Sequence, residues 1–103
     1  MTFRSEKLLR SAAGAACVRC GRCDGTVVSA HYFGPRRGSY GGGMSIKVHD
    51  FLIAHLCAQC HTQMDTTSRN KTDKWVHSEE FLHFIALTLA RLFHDGVVVV
   101  KGE

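Results

Sequence analysis

The stretch Cys57-Ala58-Gln59-Cys60-His61 decides how the centre of this chain folds. Two cysteines separated by two residues form a turn that presents both thiolates to one zinc ion. A second group, Cys17-Val18-Arg19-Cys20-Gly21-Arg22-Cys23, precedes it by a span that suits a strand, a loop and a second strand. The two groups therefore predict a structural zinc site with thiolate ligands from both.

The first cysteine group offers more ligands than a tetrahedral site needs. Cys17 and Cys20 form one Cys-x-x-Cys turn, and Cys20 and Cys23 form another. The spacing alone leaves open which of them join Cys57 and Cys60. Some of the thiols are alternatively buried and uncoordinated, since a free cysteine packs as a small hydrophobe.

The start of the chain bears on its compartment. The first ten residues, MTFRSEKLLR, carry charges throughout and lack the apolar core of a secretory signal. We therefore expect a cytoplasmic protein, in which clustered cysteines are more typical of metal ligands than of disulfides. Covalent haem attachment, the other meaning of Cys-x-x-Cys-His, is disfavoured because it belongs to exported cytochromes.

The composition is typical of one globular domain over residues 1–103, because 45% of the residues are hydrophobic and 21% are charged. No apolar run approaches the roughly 20 residues that span a bilayer, so we expect no membrane partner. The net charge of +4 favours a polyanionic partner such as DNA, since each phosphate contact releases condensed counterions.

A basic, glycine-rich segment lies between the two halves of the predicted zinc site. Residues 34–43 include five glycines with Arg36 and Arg37, and Lys47 follows. Guanidinium groups bind phosphates bidentately, and glycines let a backbone approach closely. The composition predicts a mobile loop without regular structure. Its cations are predicted to contact nucleic acid, and the alternative is a solvated surface loop.

Patterning over the first half of the chain predicts both helix and strand. Ser5 is a suitable N-cap for a helix over residues 5–16, which Gly14 limits. β-Branched and aromatic residues predict a strand over residues 26–33. Residues 46–56 predict an extended segment that leads to the second cysteine pair.

The second half is predicted to be mainly helical. A short helix begins at or just after Cys60, and the polar residues 68–74 predict a loop. A long helix follows, with Ser78 as its N-cap and Gly96 as its stop. Residues 97–100 are predicted to form a terminal strand, which together with the long helix offers a homodimer interface. The fold class is therefore α+β.

The chain has seven histidines, and most of them have an ordinary structural interpretation. His55, in apolar surroundings, is more typical of a hydrogen-bonded structural group than of a ligand. His31 on its own is typical of a half-buried strand residue. His61 and Asp65 differ, because a spacing of four puts both side chains on one helix face, where they can share a divalent cation.

At these positions the chain resembles the HNH nucleases. Their ββα-metal unit carries a histidine on its first strand, an asparagine-type residue before its second, and Cys-x-x-Cys-His at the helix start. More closely, the chain is similar to the short phage and prophage nucleases of the YbcO type. The matching pieces are Gly14-Ala15-Ala16-Cys17, Gly21-Arg22-Cys23-Asp24-Gly25, Ala30-His31, the glycine loop with Lys47 and Asp50, and Cys57-Ala58-Gln59-Cys60-His61 with Asp65.

The resemblance implies a zinc-stapled, treble-clef-like ββα-metal unit flanked by an N-terminal helix and a long C-terminal helix. It implies that Cys17 and Cys23 face Cys57 and Cys60, which leaves Cys20 spare. It also implies a metal-dependent endonuclease that acts on DNA in phage recombination or genome processing, in the cytosol of a bacterial host.

The resemblance further implies a role for each residue of the motif. His31 becomes the base that removes a proton from the attacking water. Asp50, or alternatively His49, takes the place of the central asparagine and orients that histidine. His61 and Asp65 become ligands of a catalytic Mg²⁺, Mn²⁺ or second Zn²⁺.

One position departs from the motif. Many HNH proteins place a metal ligand immediately before the base histidine, where this chain has Ala30. Either His31 itself binds the metal, or water and phosphate replace the missing ligand, or the site is inactive. An inactive zinc module that binds nucleic acid or a protein partner is therefore the alternative function.

Overall fold

The centre of the molecule is a two-stranded antiparallel sheet. Strand β1, Val28–His31, pairs with strand β2, Ile53–Leu56, and His31 lies opposite Ile53. The computed structural model of the chain describes residues 2–65 and 71–102, without the side chains of residue 65 and residues 71–73. Both strands lie inside the segments predicted to be extended, and both are shorter than those segments.

The described residues add three α-helices to this sheet. Helix α1, Glu6–Arg10, precedes β1, and helix α2, Ala58–Asp65, follows β2 almost directly. Helix α3 runs over Lys71–His94, and a short 3₁₀ helix, Arg37–Tyr40, lies between the two strands. The predicted α+β class is confirmed. None of these helices is long and apolar enough to cross a membrane.

Helix α1 has the predicted start and an earlier end. Ser5 is its N-cap, because its Oγ accepts the N–H of Leu8 at 3.3 Å. The helix was predicted to reach residue 16 and ends at Arg10. Beyond it the N–H groups bond three residues back, as Ala13 does to the Arg10 carbonyl at 3.0 Å, and Gly14 adopts a φ of +76°. These turns direct the chain toward the first cysteine group.

Helix α3 begins earlier than predicted, at Lys71 instead of Ser78. Residues 71–74, predicted as a loop, are helical, whereas residues 68–70 lie outside the described part of the chain. Ser78 is not a cap. It is buried inside the helix, where its Oγ lies 2.6 Å from the hydroxyl oxygen of Tyr32. The polar residue that suggested a helix start is a core hydrogen-bonding group instead.

The C-terminal strand prediction is wrong, although the predicted helix stop is confirmed. Helix α3 ends at His94 and Gly96 follows with a φ of +74°. The N–H groups of Val97 and Val98 both donate to the carbonyl of Leu92, at 2.9 and 3.1 Å. Described residues 97–100 contain no strand, so no open edge is presented there to a second copy.

The main core lies between the sheet and the helices α2 and α3. β2 is buried at all four positions, which is why its sequence does not alternate like that of a half-exposed strand. The largest apolar side chains of this core are Tyr32, Val48, Leu56, Met64, Phe81 and Ile85.

His55 is the polar residue of β2, and it is 1% exposed. Its Nε2 lies 2.9 Å from the Ser11 hydroxyl, and Arg91 donates to its Nδ1 at 3.1 Å. Burial, followed by the positive charge of Arg91, lowers the pKa of His55 to about 4. The histidine is therefore a neutral structural group, as its apolar surroundings predicted.

The glycine-rich segment is not a free loop. Its backbone folds into the 3₁₀ helix, and the N–H of Arg36 donates to the Tyr32 hydroxyl at 3.1 Å. A Cβ on Gly34 would lie 2.5 Å from that same hydroxyl oxygen, so only glycine allows this close approach. These contacts fix the segment to the main core, which contains Tyr32.

Candidate functional site

Four thiols converge where the first cysteine group meets the start of α2. The Sγ atoms of Cys17, Cys20, Cys57 and Cys60 all lie within 4.8 Å of one another. The Sγ atoms of Cys20 and Cys57 are 3.7 Å apart. A tetrahedral zinc ion with Zn–S bonds of about 2.3 Å holds its sulfurs about 3.8 Å apart. The four cysteines could therefore hold a structural metal ion such as zinc.

Local backbone hydrogen bonds explain why these cysteines meet. The N–H of Gly21 donates to the Cys17 carbonyl at 2.9 Å and closes the first turn, with Gly21 at a φ of +81°. The N–H of Val18 donates to the His55 carbonyl at 2.9 Å, which attaches this turn to β2. Cys57 follows β2 directly, so this bond brings the two cysteine groups together.

Cys23 lies outside the cluster. Its thiol is exposed and faces the carbonyl of Gly14 at 3.6 Å. The pairing implied by the HNH resemblance, with Cys23 as a ligand and Cys20 spare, is therefore not the one in this structure. The reason is the turn closed at Gly21, which places Cys20 beside Cys57.

The electrostatics of the cluster suit a bound cation. Burial alone would raise the pKa of the Cys17 thiol, but hydrogen bonds from backbone N–H groups, that of Cys57 first, lower it to about 6. Burial raises the pKa of Cys60 to about 12, although Arg19 opposes this shift. Several thiolates this close together require a compensating positive ion, and metal binding supplies it as the thiol protons leave.

Two arginines connect the first cysteine turn to α2. Arg19 donates to the Sγ of Cys60 at 3.3 Å and to the side-chain oxygen of Gln63 at 2.6 Å. Arg22 donates to the side-chain oxygen of Gln59 at 2.8 Å. Because four thiolates around a divalent cation leave net negative charge, the guanidinium of Arg19 stabilises the cluster directly.

A second polar constellation lies at the other end of β1. The Nε2 of His31 lies 2.8 Å from Oδ1 of Asp50. Asp50 also accepts from Arg4 at 2.9 Å and from the backbone N–H of Ser5 at 2.7 Å. Burial alone would raise the pKa of Asp50, but these hydrogen bonds, that of His31 first, outweigh it and lower the pKa. A buried carboxylate thus holds His31.

His49, the alternative candidate for this role, is engaged elsewhere. Its Nδ1 accepts the backbone N–H of Phe3 at 3.0 Å, and its ring stacks on Phe51. The structure therefore brings Asp50, and not His49, to His31. Arg4 and Ser5, which hold Asp50, are absent from the sequence-based site because nothing local to them indicates a partner more than forty residues away.

His31 lies in the wall of a cavity of about 570 Å³. His61 lines the same cavity, as do the cations Arg37 and Lys47. Arg36 does not line it, because its guanidinium lies over the ring of Trp75 at 4.9 Å. Two of the three predicted phosphate-binding cations thus line the same cavity as His31 and His61, whereas Arg36 contacts α3.

The predicted catalytic metal ligands are only partly described. His61 lies in the first turns of α2, whereas the side chain of Asp65 falls outside the described residues. Within the described part of the chain, the cysteine cluster is the only close group of three or more metal-binding side chains. Ala30, at the position of the missing ligand, is 2% exposed.

Comparison with known proteins identifies no relative of this chain. No protein-family model, no curated protein and no solved structure matches the chain. The resemblance to HNH nucleases is therefore carried by the motif residues alone.

Proposed function

We propose that the protein is a metal-dependent endonuclease that hydrolyses phosphodiester bonds in DNA. The observation that carries this proposal is the His31–Asp50 pair, 2.8 Å apart, in the wall of a cavity lined also by His61 and two cations. Asp50 is ionised and holds the N–H of Nε2. Nδ1 of His31 is then the acceptor nitrogen that a general base needs.

The cations of this cavity support a phosphate as the ligand. Arg37 and Lys47 line it, and no aspartate or glutamate stands among its lining residues within the described chain. A phosphodiester entering this cavity meets positive charge beside His31. The contacts are to phosphate and carry no base information, so they support DNA binding without sequence preference.

The proposed catalytic cation belongs at His61 and Asp65. There a divalent ion would offset the negative charge of the phosphate and of the leaving oxygen. Imidazole ligation suits Zn²⁺ and carboxylate ligation suits Mg²⁺ or Mn²⁺, so the mixed pair allows each of them. With Ala30 in the neighbouring position, water and phosphate oxygens would complete the coordination.

The cysteine cluster has a structural role in this proposal. Cys57 and Cys60 lie at the start of α2, and the N–H of His61 donates to the Cys57 carbonyl at 2.8 Å. A zinc ion on these thiolates would fix the helix start and thereby the place of His61 beside β1. A nuclease of this kind suits phage recombination or genome processing.

The test is cleavage of supercoiled plasmid and of branched DNA by zinc-loaded protein with added Mg²⁺, Mn²⁺ or Zn²⁺. The wild-type protein is expected to nick DNA, and His31→Ala is expected to lose about 100-fold or more in rate. His94→Ala is the matched control, since that histidine is 88% exposed and lines neither described cavity. Absence of cleavage with every metal, or equal rates for wild type and His31→Ala, overturns the proposal.

Ala30 favours a second candidate, a non-catalytic zinc module that binds DNA. It occupies the place of a usual metal ligand, and it is a buried member of the main core that lies opposite Ala54 of β2. His61→Ala separates the two functions when cleavage and affinity are measured on the same DNA. The nuclease loses cleavage, whereas the binding module shows no cleavage in either form and nearly unchanged affinity.

A further inference from the structure

A second cavity, of about 420 Å³, adjoins the one that contains His31. The two cavities share Phe33, Arg37 and Gly43 in their walls. The second cavity lies between the glycine-rich segment and the first turns of α3, which contribute Lys74 and His77. None of the residues assigned to the proposed hydrolysis except Arg37 lines it.

The ionisable groups of this second cavity are all basic residue types. Arg37, Lys74 and His77 line it, and no carboxylate does so within the described residues. Nδ1 of His77 is the one buried side-chain nitrogen or oxygen in the described chain without a hydrogen-bond partner. A buried polar atom without a hydrogen bond is destabilising, because it has lost its contact with water. His77 also lines the cavity, so a polar ligand there lies beside this unpartnered group.

Arg37 is placed between the two cavities. Its guanidinium lies over the ring of Phe33 at 4.8 Å, and both residues line both cavities. A guanidinium offers five N–H donors, so it can serve phosphates on either side. The arrangement suits a strand that crosses from one cavity to the other and has a phosphate in each.

We propose that the second cavity binds the phosphate next to the one cleaved, on the same DNA strand, through Arg37, Lys74 and His77. The order of the two phosphates rests on the proposed function, whereas binding of a second phosphate does not. The protein thereby engages two consecutive phosphodiesters, and it prefers an extended strand to an isolated nucleotide.

The test compares thymidine dinucleotide and trinucleotide, which carry one and two phosphodiesters, by NMR titration of zinc-loaded protein. His31→Ala serves as the background so that turnover is slowed during the titration. We expect tighter binding of the trinucleotide, with amide shifts near Lys74 and His77. Lys74→Gln is expected to weaken trinucleotide binding about fivefold, which corresponds to the loss of one exposed ion pair. The affinity for the dinucleotide is expected to stay unchanged.

Lys7→Gln is the matched control, because Lys7 is exposed on α1 and lines neither cavity. Lys74 is itself exposed, so its substitution leaves the core intact. Equal effects of Lys74→Gln on both ligands, or none on either, overturn this inference even if the protein cleaves DNA. A trinucleotide preference that depends on Lys74 supports it even if no cleavage is found.

Discussion

Nε2 of His31 lies 2.8 Å from Oδ1 of Asp50, a carboxylate whose side chain is only 2% exposed. Arg4 and the backbone N–H of Ser5 donate to the same carboxylate, so the start of the chain supports the histidine of β1. The lowered pKa of Asp50 keeps it charged at neutral pH. A charged acceptor selects the His31 tautomer that carries its proton on Nε2.

Asp50→Asn removes this charge and lets His31 adopt either tautomer. We expect the cleavage rate to fall about 10- to 100-fold, the usual loss when the partner of a functional histidine is changed. The loss is expected in kcat rather than KM, because Asp50 orients the base and does not line the cavity. Asp95→Asn is the control, since Asp95 is an exposed aspartate. Wild-type kcat in Asp50→Asn would contradict the role given to this pair.

The cysteine cluster predicts opposite behaviour for two neighbouring cysteines. Cys20→Ser removes a ligand, so we expect loss of bound zinc and a lower melting temperature, because the free energy of metal binding contributes to folding. Cys23→Ser is expected to keep the wild-type zinc content and melting temperature, because Cys23 lies outside the cluster. Elemental analysis and thermal unfolding of both variants provide the measurement. Zinc loss in Cys23→Ser with retention in Cys20→Ser would support the pairing that the HNH resemblance implies.

Arg19→Gln tests whether the guanidinium at Cys60 stabilises the bound metal. Removing its N–H bond to the Cys60 sulfur, at 3.3 Å, is expected to weaken zinc binding about 10-fold in competition with a chromogenic chelator. Arg22→Gln is the matched control, because Arg22 bonds the Gln59 amide and no thiol. If both variants bind zinc as tightly as wild type, the hydrogen bond to the sulfur does not stabilise the bound metal.

Local spacing predicted the parts of this fold that depend on neighbouring residues. Ser5 caps α1 and Gly96 follows α3, whereas α2, predicted to begin at or just after Cys60, begins two residues earlier at Ala58. The choice between Cys20 and Cys23 depends on the direction of the turn at Gly21, which spacing does not report. Cysteine patterns thus predict that a metal site exists more securely than they predict its ligands.

Long-range polar contacts account for most of what was not predicted. The acidic residues Glu79 and Glu80 suit a first helical turn and so predict Ser78 as a cap, yet Ser78 is buried against the hydroxyl of Tyr32. Arg4 donates to Asp50, which lies 46 positions away in the sequence. Hydrophobic periodicity reports which face of an element is buried, and it contains no information on which distant polar group lies there.

Lowering the pH destabilises the fold through His55. Its pKa in the folded protein is about 4, against about 6.5 for an unperturbed histidine. As the pH falls below 6.5, His55 becomes protonated in the unfolded chain but stays neutral in the folded protein. The free energy of unfolding therefore declines until the pH reaches the folded pKa. Between pH 7 and pH 5 this residue accounts for a loss of up to about 2 kcal/mol in the free energy of unfolding.

His55→Gln removes this titration while leaving a polar side chain for Ser11 and Arg91. We expect the variant to be less stable than wild type at pH 7 and to lose about 2 kcal/mol less between pH 7 and pH 5. Urea unfolding with excess zinc measures both quantities, and comparison at each pH cancels the acid sensitivity of the thiolates. His94→Gln, at an exposed histidine, should follow the wild-type pH dependence. An equal decline in His55→Gln and wild type would mean that the buried ring is not the group that titrates.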